Sequence, residues 1–234
     1  MSTDIVKKLD ESIQLGVEAS KLQGFEKMFQ LGRAIDELKN HLTDEAMRPI
    51  MKLQGYKLGF RTDKDSDGGY PMQVVKNCLI EAVLIGVQPV NNHFNIIAGN
   101  CYITKEGFGY LLKNIPNLNY EIVPRLPRIN QDKTSAAIFM KITWSIKGGE
   151  EQTREIEFPI KVNKFMGPDA IIGKATRKAR AWLYNTVTDN EVSEGDVQDI
   201  TYEDVTDKKQ PKIDTSKATS NQLNLERKED ESEK

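Results

Sequence analysis

The sequence predicts an α+β fold. Helices come first, then an antiparallel sheet packed on helices that include a long basic one, then a disordered acidic tail. Three observations carry this. Apolar residues recur at steps of three and four through residues 1–60. They alternate with period two on both sides of Gly148-Gly149. They return to helical spacing from Gly173, now opposite a run of lysines and arginines.

Taken in order, Ile5, Leu9, Ile13 and Val17 stand four apart, the spacing of one helix face. Phe25, Met28, Phe29, Gly32, Ile35 and Leu38 extend the pattern into a second helix. Thr43 is suited to cap a third, whose face is Ala46, Ile50 and Leu53. Pro49 lies inside this segment and is expected to kink it or shift its start. Short amphipathic helices of this kind must bury a face against the domain or against another copy of the chain.

Residues 61–70, RTDKDSDGGY, read as a polar loop. Asp63, Asp65, Asp67 and Gly68 imitate the first half of a calcium loop, but Val74 stands where the bidentate glutamate belongs. A helix follows. Pro71 suits its first turn, Val74, Val75, Cys78, Leu79, Ala82 and Val83 form its face, and Gly86 and Pro89 stop it. HFNIIAGNCYITK reads as two short strands turning at Gly99-Asn100. EGFGYLLKNI is a short helix ending before Pro116. NYEIVPRLPRI is a strand broken at Pro124 and Pro127, hence an edge. The hairpin after it places Ile138, Met140, Ile142, Trp144 and Ile146 on one arm, and Ile156, Phe158, Ile160 and Val162 on the other. The chain thus divides into a helical region over residues 1–60, a core over 61–189 and a tail over 190–234.

The formal net charge of −2 hides an uneven distribution. Residues 189–234 hold 14 acidic and 7 basic side chains, and few apolar ones, so disorder is expected there. Residues 101–188 hold 14 basic and 8 acidic side chains. A basic body under an acidic tail points to a polyanionic partner. The final helical segment, GKATRKARAWLYN, places Ala175, Ala179, Trp182, Leu183 and Val187 on one side. Lys174, Arg177, Lys178 and Arg180 fill the opposite arc, and no carboxylate stands between Asp169 and Asp189 to offset them. Lys161, Lys164, Phe165, Arg125 and Arg128 precede the helix. If these elements share a groove, cations can track phosphates while aromatics meet bases.

In their order and turns, residues 71–189 resemble phage RecT single-strand annealing proteins. There a helix ends in a Leu-Gly-Leu-Glu-Pro-like turn, matched here by Ile85, Gly86, Val87, Gln88 and Pro89. A hairpin then leads into a helix through a Tyr-Arg/Lys-Gly step; Gly107 is retained, with Lys105 one position ahead of the family's cation. Lys174, Thr176 and Arg180 fall on the family's Lys-Lys-Thr…Arg helix. The resemblance implies binding to single-stranded DNA and the nascent duplex, and annealing of complementary strands without nucleotide hydrolysis. It also implies a ring-shaped or helical homo-oligomer and, commonly, a phage exonuclease partner in a bacterial host cell.

Other classes find less support. No nucleophile elbow, phosphate-binding loop or zinc-protease motif is present, and Cys78 and Cys101 lack metal-ligand spacing. An enzyme is therefore not expected, and no motif requires a cofactor or magnesium. The N-terminus lacks the apolar stretch of a secretory signal, and no run approaches the ~20 apolar residues that span a bilayer. A cytoplasmic protein without membrane contact is the expectation. The competing readings are a passive single-stranded nucleic-acid binder, an enzyme using Asp63, Asp65 and Asp67 as a metal site, and a non-enzymatic protein whose basic helix meets an acidic partner.

Overall fold

The computed structural model describes residues 3–19, 21–163 and 166–188. The expected tail over 190–234, and Lys164 and Phe165, lie outside the described residues. The fold is α+β, with six helices and two small sheets in the described part.

Three helices open the chain: α1 (Thr3–Ala19), α2 (Gly24–His41) and α3 (Asp44–Met51). The Thr43 hydroxyl accepts from the Ala46 backbone N–H at 3.3 Å, the expected cap. Pro49 does not move the start of α3, which stays behind the Thr43 cap; it lies in the second turn, and the helix ends two residues later. These helices pack on α4 (Met72–Ile85), across the 60/61 position at which the sequence divides. Leu38, Met47, Val75, Leu79 and Phe94 belong to one core cluster. Phe60, fully buried, stacks on Phe94 at 5.0 Å. Helix α4 stops at Gly86, whose φ of 105° a side chain would resist.

The first sheet joins β1 (Arg61–Thr62), β2 (Phe94–Ile97) and β3 (Asn100–Ile103). Ile97 pairs with Asn100, so the hairpin turns at Ala98-Gly99, one residue before the expected Gly99-Asn100. Both turn residues have positive φ, 51° and 79°. The 61–70 loop holds this turn. Asp63 accepts from the Ala98 N–H at 3.0 Å, and the Tyr70 hydroxyl accepts from the Gly99 N–H at 2.9 Å. Asp65 accepts from Thr62 and Arg61. Asp63 and Asp65 are thus spent on protein donors, and no cluster of metal-ligating side chains is found among the described residues.

Helix α5 (Lys105–Lys113) follows β3 directly. The Thr104 hydroxyl caps it from the Gly107 N–H at 3.1 Å and donates to the Asn92 carbonyl at 2.5 Å. A Cβ on Gly107 would stand 2.0 Å from the His93 carbonyl oxygen, so only glycine lets α5 lie this close to the turn.

The second sheet holds β4 (Leu118–Pro124), β5 (Arg128–Ile129), β6 (Ser135–Ile146) and β7 (Gln152–Lys161). Strand β6 pairs with β4 and β5 along one side and with β7 along the other. Strand β4, which ends at Pro124, and β5, which begins just after Pro127, therefore lie at an edge, where proline is tolerated. Ile138, Met140, Ile142 and Trp144 face α6 (Pro168–Thr188) with Phe158 and Ile160, forming a second core cluster. Alanines 175 and 179, one turn apart and fully buried, let the helix settle onto the sheet. No described helix is long and apolar enough to cross a membrane.

Candidate nucleic-acid interface

Helix α6 is covered on two sides, which decides the fate of its cations. Ile171, Ala175, Ala179 and Leu183 meet the second sheet, while Ala181 belongs to the cluster around Phe108 and Leu111 of α5. The arc opposite the sheet is therefore not all solvent-facing, as the helical wheel alone suggests.

Arg177 shows the consequence. It is 9% exposed, against the expectation of an outward side chain. Its Nε donates to the Ile103 carbonyl at 2.8 Å. Its guanidinium lies 3.9 Å from the Tyr102 ring centroid and 5.7 Å from that of Phe108. A planar, weakly hydrated cation can be buried where a carbonyl and aromatic faces replace water. Arg177 ties α6 to β3 and α5.

Lys178 and Arg180 have a different setting. Lys178 Nζ donates to the Pro159 carbonyl at 3.0 Å, and Arg180 Nη1 to the Lys105 carbonyl at 2.6 Å. Lys174 Nζ reaches the Lys161 carbonyl at 3.4 Å. Strand β7 has β6 as its only described partner. Lysines 174 and 178, one turn apart, thus line its outer edge, where Pro159 sits as an edge position permits. A carbonyl carries no formal charge, so Lys178 and Arg180 keep theirs. Lys105 contributes its carbonyl to Arg180, and its Nζ lies 3.6 Å from Glu106.

The remaining cations go elsewhere. Alternation along β7 turns Ile156, Phe158 and Ile160 toward α6 and Glu155, Glu157 and Lys161 to the other face. Arg125 pairs with Glu155 at 2.6 Å, and Arg128 with Glu157. Arg128 also lies over Phe139, 4.8 Å from the ring centroid. The structure therefore does not gather Arg125 and Arg128 into one groove with the α6 cations. They sit across the sheet, paired with carboxylates, because the β7 glutamates share their face.

A feature that the sequence does not announce adjoins Arg180. A cavity of about 590 Å³ opens between α5, the start of β4 and α6, lined by Gly109, Tyr110, Lys113, Tyr120 and Arg180 among others. The tyrosines come from two elements, at no spacing that a motif search would recognise. His93 stacks on Tyr110 at 4.5 Å and is itself buried. Burial lowers the His93 pKa, with the Glu106 charge acting in the opposite sense. On the far side of the first core, Phe25, Met28 and Phe29 of α2 are 76%, 66% and 76% exposed.

No family model, curated protein or solved structure matches the chain.

Proposed function

We propose that this protein binds single-stranded DNA through its phosphates at the α6 cations and anneals it to a complementary strand without nucleotide hydrolysis. The observation that carries the reading is that Lys178, beside Lys174 on the β7 flank of α6, and Arg180, on its α5 flank, are held by neutral carbonyls that leave their charge intact. Annealing asks for little more than this. Repulsion between two polyanions must be screened, and one strand must be held by its backbone with the base edges accessible. The free energy comes from pairing and stacking, at ~1.4 kcal/mol per step, so no catalytic residue is needed. The RecT-like order of elements over residues 71–189 supports the same reading. A homo-oligomer belongs to it, with the α2 phenylalanines as the self-association surface.

Two complementary labelled oligonucleotides and the full chain, with no nucleotide present, test this. The wild type is expected to pair the strands faster than buffer alone, whereas a passive binder slows pairing. The combined Lys174→Ala, Lys178→Ala, Arg180→Ala variant is expected to lose the acceleration while unfolding at the wild-type temperature. A triple variant that anneals like wild type removes α6 from the DNA path.

A further inference from the structure

We infer that the cavity between α5, β4 and α6 is a nucleotide subsite, in which Tyr110 and Tyr120 receive one base and Arg180 and Lys113 hold the adjoining phosphate. This rests on the proposed binding to single-stranded DNA and adds to it a place where the protein senses bases as well as backbone. The cavity is an open groove of about 590 Å³, with room for a small ligand that keeps one side in solvent. Its wall combines ring surface and fixed positive charge, the two features that hold single strands without reading sequence.

The fold pre-positions each part. Tyr110 is braced by the His93 ring, which lies at 4.5 Å and does not line the cavity. Tyr120 pairs across the sheet with Trp144 and is half-buried against the second core, so its ring is held by packing. Arg180 is fixed by the Lys105 carbonyl at 2.6 Å. Gly109 makes that placement possible. A Cβ there would stand 2.8 Å from Arg180 Nη1 and 3.3 Å from its Cζ. Glycine inside a helix is disfavoured relative to alanine, and here the missing side chain is the space the guanidinium fills. Glu106, the one carboxylate among the described residues at the rim, lies 3.6 Å from the Lys105 ammonium, which offsets its charge against a phosphate.

A deoxythymidine oligomer and an all-abasic strand of the same length separate the two contributions, since both carry the same phosphates. Full-length wild type is expected to prefer the base-bearing strand by about 5- to 150-fold, the worth of one stacked base. Tyr120→Leu is expected to bring that ratio toward one while keeping the salt dependence of binding. Gly109→Ala displaces only the flexible end of Arg180, so the fold should survive and affinity for both strands should fall. Failure of wild type to bind either strand would overturn the DNA reading and this subsite with it. Binding with an undiminished base preference in Tyr120→Leu would overturn the subsite alone. Should Tyr120→Leu not fold, photocrosslinking of wild type to a 5-iodouracil oligomer decides the matter. Crosslinks at Tyr110 or Tyr120 are expected; crosslinks confined to other segments exclude the cavity.

Discussion

Arg177 and Lys178 are adjacent and carry the same charge, yet one is buried against Tyr102 and the other lies along the β7 edge. Their replacements should separate accordingly. Arg177→Met removes a charged donor from the buried Ile103 carbonyl, and such bonds are worth about 1.5–3 kcal/mol. We expect a loss of stability of that order in chemical denaturation, with the salt dependence of DNA binding unchanged. Lys178→Ala should leave stability within about 0.5 kcal/mol of wild type and make the salt slope shallower by about 0.7. His93 gives a second residue-scale test. Burial lowers its pKa from 6.5, against the opposing Glu106 charge, and its Nδ1 has no hydrogen-bond partner among the described residues, so folding favours the neutral ring. The unfolded chain takes up the proton first as pH falls. The stability tied to the neutral ring is therefore full above about 6.5 and declines below it. Thermal unfolding of wild type should lose more midpoint temperature between pH 7 and pH 5 than that of His93→Phe. Equal losses would show that His93 is not the titrating group.

At the scale of elements, helix α2 divides within itself. Its second half buries Ala34 and Leu38 in the first core, while Phe25, Met28 and Phe29 in the first half stay exposed. Under the proposed function, this apolar row on consecutive helical turns is the self-association surface. We expect the combined Phe25→Ser, Phe29→Ser variant to have a smaller mass than wild type by light scattering, with an unchanged unfolding transition. Equal masses would remove α2 from self-association. The sequence made this apolar row visible and could not say which half is covered, because coverage depends on where α1 and α4 end. The same limit explains Arg177. Periodicity assigns a residue to an arc of α6, but only the packing of α5 and β3 on that arc makes it interior. Period two located β6 and β7 because both are buried on one face. The Ala98-Gly99 turn was displaced by one residue because Asp63 and Tyr70, far away in sequence, supply its hydrogen-bond partners. The tyrosine cavity was illegible for a similar reason: α5, β4 and α6 each bring part of it.

For the whole molecule, the deciding feature is where positive charge is left uncompensated. Residues 101–188 carry a net formal charge of +6 in a chain of −2. On the sheet, glutamates cancel Arg125 and Arg128; along α6, carbonyls leave Lys178 and Arg180 charged. If DNA binds there, counterion release drives association, and each phosphate contact on a single strand contributes about −0.7 to the slope of log affinity against log salt. The most direct measurement is that slope for a labelled single strand, in wild type and in the Lys174→Ala, Lys178→Ala, Arg180→Ala variant, both shown to be folded. Binding along α6 predicts a steep wild-type slope and one shallower by about 2 in the variant. Equal slopes, or a wild-type affinity indifferent to salt, would contradict it.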